Sequence, residues 1–333
     1  MLTRGKLSAT GRRSDQNMLL YKKVILQEVA HLIYTLTLNP AIDYVMQLPS
    51  GLTPGGINRS AGEDYQFGGK GINVSNVLRA LDTDTTALGF IAGFTGDALE
   101  QGLKNMGLST NFIRLPDGQT RINVKVKGQE ETEINGTGPV ITEDAMALLY
   151  RQLDCLIFGD ILVLSGSVPG CLPQDTYGQI LCRLQEKNIQ TVVDAAGDLL
   201  MHTLSYRPFL IKPNREELEA IFAAPLNTDR QITACAKQLQ EKGARNVLVS
   251  MAGNGALLLD ETGRLHRISC PAGQVRNSVG AGDSMVAGFL AGWLKTGDYA
   301  YALRLGTAAG SATAFSLGLA EKEEIENLFH SLA

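Results

Sequence analysis

Short apolar runs alternate with amphipathic stretches along most of this chain. Strand-like runs are predicted at 32–38, 86–91, 161–165, 191–194, 209–211, 246–250 and 256–259. Stretches with helical spacing lie between and after them, at 73–80, 97–105, 143–153, 174–186, 215–222, 229–241, 284–294 and 301–315. Alternation of this kind predicts an α/β fold with a mostly parallel sheet covered by helices. Such open sheets gather ligands at the carboxyl ends of their strands.

Two segments break the rhythm. Residues 43–67 and 112–136, the latter including the polar-alternating 120–128, read as antiparallel ribbon with one solvated face. They flank the first helix–strand unit, so together they predict a small sheet projecting over the site, within a single domain spanning 31–333. Residues 1–30 differ from the rest: they are basic and show no clear period before Met18. They read as a disordered extension or as translation assigned to begin too early.

Composition narrows the function. Hydrophobic residues make up 44% and charged residues 19%, enough apolar material for a large globular core. The net charge of −4 supplies no basic field for a polyanion, so nucleic acid is not expected as a partner. The longest charge-free stretch, 305–320, has 16 residues and is rich in Gly, Ala, Ser and Thr, too short and weakly apolar to cross a bilayer. The five cysteines are scattered without a C-x-x-C pair, which predicts reduced, mostly core thiols and a cytoplasmic setting. The four histidines lack metal-ligand spacing.

Four motifs carry candidate chemistry. Asn277-Ser278-Val279-Gly280-Ala281-Gly282-Asp283 opens an amphipathic helix. Its glycines let backbone amides point at an anion, and the helix adds its positive end. Asp283 is then either a helix cap or a carboxylate facing a phosphoryl group in flight. Phe67-Gly68-Gly69-Lys70-Gly71-Ile72-Asn73 also opens a helix, and its glycines suggest close approach to a hydroxylated or phosphorylated ligand. It is not a Walker A loop, since no Ser or Thr follows the lysine. In Lys212-Pro213-Asn214-Arg215-Glu216-Glu217, Asn214 and Glu217 share a helix face and suit either a cap or water-mediated Mg²⁺ beside phosphates. In Asn39-Pro40-Ala41-Ile42-Asp43, Pro40 ends the first strand, and Asp43 is a turn residue or a grip on sugar hydroxyls.

In this order the four motifs resemble the PfkB/ribokinase-like family of carbohydrate kinases. Asn277–Asp283 resembles its carboxyl-terminal signature and Gly68–Asn73 its amino-terminal one, and the likeness covers residues 32–331. Within the family, Thr35–Asp43, Ala87–Gly93, Thr120–Lys125 and Glu131–Gly136 resemble the 1-phosphofructokinase branch, with the tagatose-6-phosphate kinases as near relations. The family often shows Asp-Thr where this chain has Asn277-Ser278.

The resemblance implies a ribokinase-like fold with a β-sheet lid, ATP and Mg²⁺ as cofactors, and fructose 1-phosphate as substrate, tagatose 6-phosphate being the alternative. It implies Asp283 as general base and the Gly280, Ala281 and Gly282 amides as an anion hole. Asp43, Gly68, Gly69 and Asn73 would hold the sugar, Lys70 and Arg121 its phosphate, and Ser165 and Gly166 would lie near it. Asn214 and Glu217 match Mg–ATP positions, while Ser250, Gly253 and Gly255 match the nucleotide loop. The lid commonly forms a dimer interface in this family. A sugar-phosphate sensor without catalysis is the reading from another class; the intact Gly280–Asp283 loop argues against it.

Overall fold

The structure, a computed structural model, describes residues 32–332, so the expectation for residues 1–30 lies outside the described residues. In chain order the elements are β1 (Ile33–Thr37), β2 (Ala41–Gln47), β3 (Gly62–Gly68), α1 (Lys70–Ala80), β4 (Thr85–Ala92), α2 (Gly93–Asn105), β5 (Ser109–Leu115), β6 (Arg121–Lys127), β7 (Glu131–Asn135) and α3 (Glu143–Asp154). They continue with β8 (Ile161–Ser165), α4 (Thr176–Leu184), β9 (Gln190–Asp194), α5 (Gly197–Met201), β10 (Leu210–Ile211), α6 (Arg215–Phe222), α7 (Asp229–Glu241) and β11 (Asn246–Ser250). β12 (Ala256–Leu259), β13 (Leu265–Ile268), α8 (Ala281–Thr296), α9 (Tyr299–Phe315) and α10 (Lys322–Ser331) complete the order.

The main sheet runs β13-β12-β11-β10-β9-β8-β1-β4-β5 and is parallel except for β12 and β13, which turn back at one edge. Strand β8 shows why its sequence is continuously apolar: all five residues are buried. Ile161 and Val163 pack on the face covered by α1, α8 and α9, while Leu162 and Leu164 pack on the face covered by α3, α4 and α7. A strand buried on both faces loses the polar alternation that a half-exposed one keeps.

A second sheet, β3-β2-β6-β7, forms the lid. It differs from the sequence expectation in two ways. β2 and β6 pair in parallel where the two ribbons meet. Residues 112–115 lie in β5, the edge of the main sheet, so the second lid segment begins at Arg121. The edge strand β5 is half solvated and alternates like ribbon, which is why its pattern misleads. The register sorts the lid by face: Asp43, Arg121, Asn123 and Lys125 share one side, and Ile42, Tyr44, Tyr65, Ile122 and Ile134 the other.

The small-residue stretch near the carboxyl end is the seam between α8 and α9. A Cβ on Gly288 would sit 2.6 Å from the Leu305 carbonyl oxygen, and one on Gly306 would sit 2.8 Å from that of Met285. Backbone thus packs on backbone, and α8, whose first turn carries Asp283, is pinned along its length. The five cysteines are unpaired, but Cys155, Cys171 and Cys182 are exposed and only Cys235 is buried, so the expectation of mostly core thiols does not hold. They lie on helix ends and loops, where a small thiol is tolerated without packing. No helix of the described residues is long and apolar enough to cross a membrane.

Gly288→Val is expected to destabilise the protein by about 3 kcal/mol or more, because neither backbone can retreat. Urea denaturation monitored by circular dichroism checks this; a midpoint equal to wild type would mean that the seam is loose.

Candidate functional site

The carboxyl ends of β1, β8, β9 and β11 converge under the lid. There the amino-terminal turns of α1, α6 and α8 meet around a cleft of about 600 Å³. A cleft of this size at strand ends suits a small ligand together with a cofactor.

At its floor lies a charge cluster. Asp194, at the end of β9, is 1% exposed, and Lys212 beside it is 5% exposed. Lys212 Nζ lies 3.1 Å from Asp194 Oδ1, and Lys70 Nζ lies 3.6 Å from Oδ2. Neither carboxylate oxygen has a well-aligned hydrogen-bond donor, so the compensation is ionic. Burial works to raise the Asp194 carboxyl, but the Lys212 and Lys70 ammoniums overcome it and hold the group below its ordinary range. Asp194 in turn raises Lys70.

Asp283 sits above this cluster, 5% exposed. Burial pushes its carboxyl up to about 7, the negative Asp194 adds to the rise, and Lys70, Asn73 and Lys212 oppose it. Asn73 Nδ2 donates to Asp283 Oδ2 at 2.8 Å, which fixes the carboxylate by a contact between α1 and α8. Asp283 does not cap its helix: Gly280 is the cap residue, without a side-chain bond. The Ala281 amide donates to the Ser278 carbonyl at 3.2 Å, which leaves the Gly280 and Gly282 amides without backbone partners among the described residues. A Cβ on Gly282 would meet Lys212 Nζ at 3.1 Å, so glycine here lets the lysine reach the loop.

Most residues singled out from sequence come together here. Asp43, Gly69, Lys70, Asn73, Arg121, Asn214, Glu217, Ser250, Gly253, Gly255 and Gly280–Asp283 all line the cleft. Asp43 reaches it from the middle of lid strand β2, and β1 has already ended at Thr37. Gly68 lines an adjoining chamber. Ser165 and Gly166 are not among the lining residues. Ser165 is 1% exposed beneath the floor, and Gly166 backs the stem of Lys70. Gly71 packs α1 onto β1, its Cβ position 3.1 Å from the Leu36 carbonyl oxygen, so fold packing and not a ligand accounts for that glycine.

Asn214 and Glu217 form a reciprocal cap. Glu217 N donates to Asn214 Oδ1 at 2.7 Å, and Asn214 N donates to Glu217 Oε2 at 2.8 Å. The cap fixes Glu217 and leaves its Oε1 outside the cap. Among the described residues no three acidic, histidine or cysteine side chains gather into a metal cage.

Sequence reading gave no role to Asp194, or to Lys212, Asn123 and Lys125, although the last three stand within the quoted segments. Asn123 Nδ2 donates to Asp43 Oδ1 at 2.8 Å, and Lys125 Nζ lies 3.4 Å from Asp43 Oδ2, so the lid presents Asp43 already oriented. The available signal for Asp194 was an acid closing an apolar strand, at the end where such sheets bind ligands. Burial pulls the Arg121 guanidinium down while Asp43 opposes, leaving a half-buried cation in the cleft wall.

Comparison with known proteins agrees with this architecture. Residues 36–326 match the model of the pfkB family carbohydrate kinases. The 1-phosphofructokinase of Bacillus subtilis is 44% identical over 297 residues, covering 89% of this chain and 97% of that protein. The D-tagatose-1-phosphate kinase of Bacillus licheniformis is 37% identical over 296 residues, covering 89% and 96%. The crystal structure of phosphofructokinase-2 from Escherichia coli, in complex with substrates and products, superposes with a TM-score of 0.84 at 29% identity, covering 90% and 99%. The fold is that of an α/β sugar kinase with a second small sheet. The chain belongs to the pfkB family of carbohydrate kinases and is a sugar-phosphate kinase of that family.

Two substitutions separate the buried carboxylates. Asp194→Asn strands Lys212 without its partner and is expected to cost about 3–5 kcal/mol. Asp283→Asn should act oppositely. Its folded pKa lies above the unfolded value, so ionisation costs stability at any pH above about 7 and costs nothing below the unfolded pKa. Removing that charge should raise the melting temperature at pH 8 by roughly a few degrees. Thermal melts at pH 8 decide both, and a destabilised Asp283→Asn would contradict the buried-charge account.

Proposed function

We propose that this protein transfers the γ-phosphoryl group of ATP to the 6-hydroxyl of fructose 1-phosphate, giving fructose 1,6-bisphosphate and ADP. The observation that carries this reading is the buried Asp283, oriented by Asn73 at 2.8 Å in a cleft that also holds Lys70 and Arg121. The 1-phosphofructokinase relative at 44% identity supports the choice of sugar.

The sugar would lie between the polar face of the lid and the amino end of α1. Asp43, Gly69 and Asn73 would meet its hydroxyls, and Lys70 and Arg121 its 1-phosphate. Arginine grips phosphate as a fork, while lysine acts as a point charge. ATP would run along Ser250, Gly253 and Gly255, with its phosphates toward the start of α8. As the 6-oxygen bonds to the γ-phosphorus, its O–H bond breaks and Asp283 takes the proton, while the bridging oxygen leaves with ADP. The Gly280 and Gly282 amides and Lys212 would donate to the transferring phosphoryl oxygens. Glu217, with Asn214, fits a water-mediated Mg²⁺ position beside the phosphates, where the ion would neutralise phosphate charge. Closure of the lid would exclude water as a competing acceptor.

D-Tagatose 1-phosphate is the second reading, supported by the 37% identical relative named for it. It keeps the 1-phosphate contacts and replaces the tagatose 6-phosphate expected from sequence. A second copy of the chain would cover the apolar lid face, where Tyr65, Ile122 and Ile134 are exposed. A cytoplasmic setting fits five unpaired cysteines.

ADP release should show the highest kcat/KM with fructose 1-phosphate, against tagatose 1-phosphate, tagatose 6-phosphate, fructose 6-phosphate and fructose. Asp283→Asn should lower kcat by ~10²–10⁴. Because the base must be ionised, kcat/KM, which reports the free enzyme, should rise tenfold per pH unit up to about 7 and then level off. A flat profile from pH 5.5 to 8 would remove Asp283 as the base, and a preference for a 6-phosphate would overturn the choice of substrate.

A further inference from the structure

A second chamber of about 300 Å³ opens beside the cleft, between lid strand β3, α1 and the loops at 277–279 and 318–321. It shares Asp43, Asn73 and Val279 with the cleft, but its far wall is its own. Two side chains of α1 that phosphoryl transfer leaves unused stand on that wall, Asn76 and Arg79. They are three residues apart and so lie on one side of the helix.

Both are incompletely satisfied. Asn76 is only 6% exposed, yet its Oδ1 has no hydrogen-bond partner. Arg79 Nε is also buried without one. A buried amide left unmet costs folding free energy, and native interiors rarely keep one without a ligand or water to meet it. The two carboxylates on the chamber wall form no ion pair with Arg79 among the described residues: Asp43 bonds Asn123 and Lys125, and Glu321 caps α10 through its backbone amide, which donates to Glu324 Oε2. Arg79 therefore remains a cation available to an anionic ligand, against apolar walls from Phe67, Met106 and Leu319.

We propose that this chamber is a second ligand subsite, taking a small hydroxylated phosphate in addition to the sugar and nucleotide of the main cleft. Arg79 holds the phosphate, and the Asn76 amide, which both donates and accepts, holds a hydroxyl. Since Asp43 and Asn73 form the shared partition, occupancy is read at the main site, as a change in KM through Asp43. The subsite stands on Asn76 and Arg79 whichever sugar phosphate the enzyme prefers.

The test is calorimetric titration of the full chain with glycerol 3-phosphate and, separately, with inorganic phosphate. Glycerol 3-phosphate should bind wild type more tightly than inorganic phosphate. Its binding should survive Arg121→Ala, which removes one of the two proposed phosphate contacts of the main cleft, and weaken about tenfold or more in Arg79→Gln. Asn76→Ser should remove the margin over inorganic phosphate. Arg79→Gln should fold with an unchanged melting temperature and keep its KM for the sugar phosphate when glycerol 3-phosphate is absent. Binding that vanishes in Arg121→Ala and persists in Arg79→Gln would place the ligand in the main cleft and overturn the proposal. So would the absence of any binding at millimolar concentration.

Discussion

Everything in the site is organised around one carboxylate that water does not reach. Asp194 ends a strand buried on both faces, and it stays ionised because Lys212 and Lys70 flank it at 3.1 and 3.6 Å. Taking such a cluster out of water is costly, and the mutual attraction offsets that cost only while all three partners hold position. Lys70 comes from the first turn of α1 and Lys212 from the segment after β10, so the cluster ties both sides of the sheet end together. It also sets the potential felt by Asp283: the negative Asp194 raises that carboxyl and the two ammoniums restrain it.

The rest of the scaffold makes this electrostatic arrangement rigid. Asp283 rides on the first turn of α8, and α8 is locked to α9 through glycines that bring the two backbones together. Asn73 holds the carboxylate from α1. On the opposite wall, Asp43 is oriented by Asn123 and Lys125 from a neighbouring lid strand. Asp283 thus stands on a helix in a close-packed seam, while Asp43 stands on a separate four-stranded sheet. Under the proposed function, a site divided in this way would open for exchange without disturbing Asp283.

The family membership and the choice of substrate rest on different features. The sheet order, the helix layers and the α8–α9 seam are shared architecture, and one fold hosts many substrates. Under the proposed function, discrimination between sugar phosphates would depend on a few lid and α1 side chains, notably Asp43, Lys70 and Arg121. The neighbouring chamber contributes Asn76 and Arg79 from the same helix face, so α1 serves both spaces.

The sequence by itself determined the strand–helix alternation, the glycine-rich helix starts and the prominence of Asp283, Asn73 and Lys70. These are local properties: burial on two faces makes a strand continuously apolar, and a helix start packed against a strand or a neighbouring lysine needs glycine. Tertiary structure alone decided the rest. Asp194 looks like any acid at the end of a strand until β9 lies beside Lys212 and Lys70. Residues 112–115 look like lid until β5 pairs with β4. Ser165, promising from its motif, ends up beneath the floor at 1% exposure. Periodicity is written within a dozen residues, whereas ion pairs, strand neighbours and cavity walls join segments far apart in the chain, and only the folded packing brings them together.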